Sequence, residues 1–173
     1  MTPSETLTLG SYFFVLIVLA TYGWHRYYLV YLYMRNRNKG AKPGLPLDPA
    51  PVVTIQLPLY NEMYVADRLI ESVCRIEYPR ERLEIQVLDD STDETRGIAE
   101  LAVRRFAAEG IDIKYLHRTD RRGFKAGALE AGLRTARGEF IAIFDADFIP
   151  KPDFLTRLVP HFRDPQIAMV QAR

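Results

Sequence analysis

The sequence predicts an α/β fold, a mainly parallel sheet with helices on both faces, preceded by one amino-terminal transmembrane helix. Residues 6–24, "TLTLGSYFFVLIVLATYGW", are 19 consecutive uncharged positions, close to the ~20 a helix needs to cross the hydrocarbon core of a bilayer. Beyond residue 51, short β-rich runs alternate with helical apolar spacing, the order that builds a parallel sheet. Each run ends in a polar loop, and all four loops fall on one edge. In such sheets ligands bind outside the carboxyl ends of the strands.

The apolar and aromatic character persists through Tyr27, Tyr28, Tyr31 and Tyr33, so residues 25–34 either extend a tilted span or bend along the interface. No Lys or Arg precedes the apolar run and no small-x-small site follows it, which favours an anchor over a cleaved leader. Arg35, Arg37, Lys39 and Lys42 follow the span, whereas the leading tail carries only Glu5. Positive charge stays inside, which predicts a single span with the amino end outside and the folded part cytoplasmic. Residues 1–36 thus read as tail and transmembrane helix, 37–51 as a Pro/Gly-rich linker ("KGAKPGLPLDPAP", 39–51), and 52–173 as the domain.

Within that domain "VVTIQL" (52–57), "LEIQVL" (83–88), "IDIKYL" (111–116) and "EFIAIF" (139–144) read as strands. The first helix repeats apolar residues at Val65, Leu69, Val73 and Ile76. The second opens on a Ser91-x-x-Glu94 capping box, repeats at Ile98, Leu101, Ala102 and Phe106, and stops at Gly110. The third carries Leu129, Leu133 and Ala136 before Gly138. Each helix has one face for a sheet.

Lysine and arginine total 23 against 22 for aspartate and glutamate, so no basic field argues for a nucleic-acid partner. The single cysteine, Cys74, has no mate for a disulfide or a cysteine-rich metal site and reads as a packed thiol in a reducing compartment. His25 and His161 read as structural and His117 as a surface residue.

The chemistry concentrates at the four strand ends: "PLYNE" (58–62), "DDSTD" (89–93), "HRTDRRGFKAG" (117–127) and "DAD" (145–147). In extended chain, residues two apart point to the same side, so Asp145 and Asp147 share one region of space. Two carboxylates there repel unless a hard cation joins them. Mg²⁺ or Mn²⁺ takes few protein carboxylates and completes its shell from water and phosphate, so the expected ligand is a diphosphate. Asp89 and Asp90 can accept hydrogen bonds from a base edge or a ribose, or cap the helix that follows. Lys125, at the start of a helix whose N–H groups favour anions, can neutralise a phosphate. Arg121 and Arg122 beside it read as solvated surface. Tyr60 can stack on a base or simply pack, and Glu62 can bind the nucleoside or cap the first helix. Reading the D-x-D as a phosphatase nucleophile and acid fits poorly, because Ile149 stands where that chemistry wants Thr or Val.

Taken in order, "QLPLYNE", "VLDDSTD", "RRGFKAGAL" and "IFDADFIPKPDFL" resemble the inverting family 2 glycosyltransferases of GT-A fold, in the cellulose synthase superfamily, and are most similar to glucomannan and mannan synthase-like members over about residues 52–173. The resemblance implies that Tyr60 and Glu62 lie in the nucleoside loop, with Asp90 or Asp89 at base and ribose. It implies that Lys125 lies near the nucleotide, and that Asp145 and Asp147 hold metal and donor diphosphate, with Asp147 the direct ligand. It implies further a nucleotide-sugar donor, UDP-glucose or GDP-mannose, a growing β-linked polysaccharide as acceptor, and membrane lipid as a partner of the anchored chain. The family's later E-D motif, whose Asp is the general base, and its Q-x-x-R-W motif do not occur in these 173 residues. The expectation is therefore a donor-binding half. Its acceptor half lies downstream or on a second polypeptide, and the alternative is a catalytically inactive nucleotide-sugar-binding module.

Overall fold

The computed structural model describes residues 2–37 and 46–172 and divides into two units, Met1–Lys42 and Pro43–Arg173. Lys39, Lys42 and the first part of the predicted linker lie outside the described residues.

The first unit is one helix, α1 (Pro3–Asn36), with no buried residue. Residues 25–34 continue it without a break. At about 1.5 Å per residue its length is about 51 Å, more than a hydrocarbon core of about 30 Å requires, and its most apolar window has a mean hydropathy of 1.6. It is long and apolar enough to cross a membrane. Thr2 caps it by accepting from the Glu5 N–H while Glu5 accepts from the Thr2 N–H. The hydroxyls inside the run donate to carbonyls four residues back, Ser11 to Leu7 at 2.9 Å and Thr21 to Ile17 at 2.8 Å. An apolar medium offers them no other partner.

The second unit is built on four parallel strands, β1 (Val53–Leu59), β2 (Leu83–Asp89), β3 (Ile113–His117) and β4 (Phe140–Ile143), in the order β3-β2-β1-β4. Helix α2 (Ala66–Cys74) links β1 to β2, α3 (Thr95–Ala108) links β2 to β3, and α4 (Phe124–Leu133) precedes β4. A short helix α5 (Phe154–Leu158) follows. Because right-handed crossovers run one way through β1, β2 and β3 and then reverse to β4, α2 and α3 share one face and α4 takes the other. Pro58 cannot donate to a ladder, and the pairing of β1 with β4 ends at Gln56, two residues before it.

Alternation along the strands separates two interiors. Val53, Ile55, Leu57, Ile85 and Val87 pack with Leu69, Val73, Ala99, Val103 and Phe106 in one apolar cluster. Thr54, Gln56, Glu84 and Gln86, equally buried, lie on the α4 side. There Gln56 Nε2 donates to Gln86 at 3.0 Å and to the Leu129 carbonyl at 3.4 Å. A methyl on Gly132 would stand 2.5 Å from Gln56 and 2.8 Å from Gln86, so α4 approaches the sheet through small residues.

That close approach corrects the helix faces. Ala128 and Gly132 are the buried positions of α4, while Leu133 is exposed, as is Leu101 on α3. The Ser91–Glu94 capping box does not form. Asp93 accepts from the Thr95 N–H at 3.0 Å, and Ser91 Oγ accepts from the Asn61 N–H at 2.8 Å, tying the ends of β1 and β2 together. Residues 46–51, read as linker, attach to the domain: Leu47 packs on the core, Arg163 donates to the Pro46 carbonyl, and Tyr78 donates to the Pro51 carbonyl.

Candidate functional site

In the order β3-β2-β1-β4 successive strands are added on one side of β1 and then, with β4, on the other, which makes the carboxyl ends of β1 and β4 the switch point where a crevice opens. A cavity of about 390 Å³ lies there. Tyr60 and Glu62 line it from the end of β1, Asp90 from the end of β2, Arg121 and Lys125 from the entry to α4, and Asp145 and Asp147 from the end of β4. Six of the seven residues singled out from sequence thus meet in one pocket. Asp89 does not. It is fully buried, accepting from the Ser91 N–H at 2.9 Å and the Tyr115 hydroxyl at 2.5 Å, so of the two aspartates Asp90 alone faces the cavity. Burial, reinforced by the Asp89 carboxylate, drives the Tyr115 hydroxyl far above its usual range.

Asp145 and Asp147 do not sit on an extended strand. The Phe148 N–H bonds to the Asp145 carbonyl at 3.0 Å and closes a turn after β4, yet both carboxylates still line the pocket. Asp145 is ion-paired with Lys125. Asp147 is exposed and has no charged or hydrogen-bonding partner among the described residues. A bare carboxylate beside a paired one suits a hard divalent cation. Among the described residues no third His, Cys, Asp or Glu joins them, which fits Mg²⁺ or Mn²⁺ completing its shell from substrate phosphate and water.

The basic loop differs most from expectation. Arg121 is half-buried, not solvated, with its guanidinium carbon 3.2 Å from the Tyr60 ring centroid. Its Nε is buried without a hydrogen-bond partner. His117 is also half-buried, stacked on Tyr115 with Nδ1 3.8 Å from Asp89. Arg118 forks onto both oxygens of Asp90 at 2.8 and 2.5 Å, and that hydrogen bonding raises its already high pKa further. Glu62 caps α2 through its carbonyl, which accepts from Val65 and Ala66, and leaves its side chain free at the pocket.

Residues 54–173 match Glycosyl transferase family 2. The chain belongs to that family. Over 128 residues it is 47% identical to a probable glucomannan 4-beta-mannosyltransferase 7 of Oryza sativa subsp. japonica and 48% identical to the glucomannan 4-beta-mannosyltransferase 2 of Arabidopsis thaliana, in each case over 71% of this chain. It spans only 22% and 24% of those relatives. Among solved structures, the mannosyltransferase PcManGT from Pyrobaculum calidifontis in complex with GDP-Man and Mn2+ superposes with a TM-score of 0.64 at 33% identity, covering 88% of this chain and 45% of that one. The sheet of this family 2 chain is accordingly of the GT-A kind, with its polar strand ends gathered at the switch point.

A second cavity, of about 500 Å³, is lined by Cys74, Leu83, Phe106 and Ile111 and contains none of the predicted site residues. Burial pushes the Cys74 thiol up to about 12, as a packed, unreactive cysteine requires.

Proposed function

We propose that this chain carries the donor site of a membrane-anchored, inverting glycosyltransferase that uses GDP-mannose to extend a β-linked polysaccharide. The observation that carries the reading is the meeting of Tyr60, Glu62, Asp90, Lys125, Asp145 and Asp147 in the pocket between β1 and β4. GDP-mannose is preferred to UDP-glucose because the most similar relatives bear the name glucomannan 4-beta-mannosyltransferase and the similar solved enzyme holds GDP-Man. Arg35 in the last turn of α1 and Arg37 at its C-cap favour the amino end outside and the domain in the cytoplasm, where nucleotide sugars are supplied.

In this reading Tyr60, Glu62 and Asp90 bind the nucleoside, Asp90 through the acceptor capacity its Arg118 fork leaves over. Lys125 and the free N–H groups at the start of α4 face the diphosphate. The Lys125–Asp145 pair is the resting form of the site, and donor binding exchanges it for Lys125 against phosphate. Asp147 and Asp145 hold a divalent cation, which when bound supplies positive charge against the leaving diphosphate. In the transfer an acceptor hydroxyl forms a bond to the anomeric carbon from the face opposite the departing GDP, which inverts that centre. Its proton passes to a base expected outside these residues.

Calorimetry on the detergent-solubilised chain tests this. GDP-mannose should bind in the presence of Mn²⁺ and lose affinity on addition of EDTA, with UDP-glucose the weaker ligand. Affinity indifferent to the chelator would remove the metal from the reading. Preference for UDP-glucose would remove the mannosyl donor.

A further inference from the structure

We propose that Arg118 is a positioning residue of the donor pocket: it stays out of contact with the donor and fixes the loop that presents Arg121 and Lys125. The inference rests on the donor reading of the pocket, and it is carried by how the loop is held.

That loop is costly as a backbone. Arg121, Gly123 and Phe124 have φ of 35°, 74° and 51°, so two side-chain-bearing residues occupy the left-handed region within four positions. Such a segment persists only where its surroundings over-determine it. Arg118 supplies the determination. Its Nη1 donates to the Arg122 carbonyl at 3.2 Å and its Nη2 to the Phe124 carbonyl at 3.1 Å, while the fork onto Asp90 fixes the guanidinium plane. The Arg118 side chain is 17% exposed and that of Asp90 4%, so the fork that anchors the guanidinium is partly sheltered from water. The Arg122 carbonyl also lies against Gly127, where an added methyl would stand 2.0 Å from it and 3.0 Å from Arg118 Nη1, so this contact needs a residue without a side chain.

The consequence reaches the site through one peptide plane. The Phe124 carbonyl belongs to the bond joining Phe124 to Lys125, so holding it sets the direction in which the Lys125 side chain leaves the backbone. The same guanidinium, through the Arg122 carbonyl, holds the segment carrying Arg121. Arg118 is not among the residues that line the donor cavity, and its four hydrogen bonds to Asp90 and the two loop carbonyls leave little of the fork for a ligand.

The test uses R118K in the full chain, because a lysine keeps the buried Asp90 charge compensated while a single ammonium cannot reproduce the planar fork. GDP-mannose affinity should fall ~10-fold in R118K, and this drop should shrink when R118K is placed in a K125A background, the remainder being the part exerted through Arg121, since residues acting through one another are not additive. Amides of residues 122–127 should exchange hydrogen faster in R118K than in the unmodified chain. An equal loss in the K125A background, or unchanged affinity in R118K, overturns the proposal, and so does unchanged exchange. Should the unmodified chain bind neither GDP-mannose nor UDP-glucose, the donor reading fails on its own, and the exchange measurement still decides whether Arg118 holds the loop.

Discussion

Glu84, near the start of β2 under α4, and Asp147, in the turn beyond the carboxyl end of β4, are both carboxylates of this domain, and their surroundings are opposite. Glu84 is fully buried and accepts from Thr54 Oγ1 at 2.7 Å, Lys114 Nζ at 2.6 Å and the Arg137 N–H at 2.8 Å. Burial pushes its pKa up, and the three hydrogen bonds outweigh burial and hold it below the usual carboxylate range. Asp147 is exposed with no partner among the described residues. A buried carboxylate satisfied by three hydrogen bonds within the fold is architecture. A carboxylate left open where the strand order reverses is a place for a ligand.

The sharpest way to break that contrast is at Glu84. Replacing it with Gln removes the charge that Lys114 and Arg137 face, and breaking a buried pair of this kind costs about 3 kcal/mol, the low end for such pairs because Lys114 is partly exposed. Chemical unfolding of the detergent-solubilised chain at neutral pH measures it. The sign with pH follows from the lowered pKa: Glu84's contribution is fully present above the unfolded value of 4.5 and is lost as pH falls through the folded one. E84Q should therefore be less stable than the unmodified chain at pH 7, and the gap should close as the solution is acidified. A gap independent of pH would show that the ladder does not depend on the charge. Affinity for GDP-mannose, measured while the variant is folded, should not change.

Asp147 should behave in the reverse manner. Asp147→Asn is expected to lower metal-dependent donor affinity by about 100-fold, the scale on which perturbing a metal site acts, and to leave the unfolding midpoint unchanged. Asp145→Asn should lose less, about 10-fold, since Asp145 is already engaged by Lys125 and its removal also frees that lysine for phosphate. Equal and negligible losses in the two variants would leave both carboxylates as solvated groups that hold no ligand and remove the ligand side of the contrast.

The two regions were unequally legible in the sequence. Strand positions emerge to within two residues at either end because β-branched runs between turn signals are local patterns, and the pocket residues emerge because polar strand ends share one edge of a parallel sheet. The ladder does not announce itself. Thr54, Gln56, Glu84 and Gln86 look like the outward half of an alternating strand, and only the small Ala128 and Gly132 of α4 hint that a helix lies close above them. Arg118 was missed because its partner Asp90 is 28 residues away, a pairing that only the adjacency of β2 and β3 creates. Its place one residue beyond β3, opposite the acidic pair that ends β2, is the signal from which it can be found. The extended geometry expected for Asp145 and Asp147 failed because β4 ends at Ile143, and the Phe148 N–H turns the chain back onto Asp145.

The smallest effect is also the test of whether the ladder and the pocket are separate. Thr54 Oγ1 donates to Glu84 and accepts from the Gly138 N–H at 2.8 Å, so one hydroxyl joins the start of β1, the buried carboxylate and the turn into β4. Thr54→Val keeps the shape and deletes both bonds. The bond to the ionised Glu84 carboxylate is charge-assisted, and its net loss is about 1.5 kcal/mol, the low end for such bonds. Glu84 retains Lys114 and the Arg137 N–H, and Gly138, half-buried, can turn its N–H toward water, so the loss should not exceed that figure by much. A fall of about 6 °C in the unfolding midpoint corresponds to it for a domain of this size. Because Thr54 lies at the opposite end of β1 from Tyr60, and the strand between them is paired with β2 along its whole length and with β4 as far as Gln56, the pocket should not sense the change. GDP-mannose affinity in T54V should equal that of the unmodified chain. A measurable loss of affinity would mean that α4, which lies over the ladder and carries Lys125 at its start, transmits strain from one region to the other, and that the division between a structural half and a chemical half of this sheet is wrong.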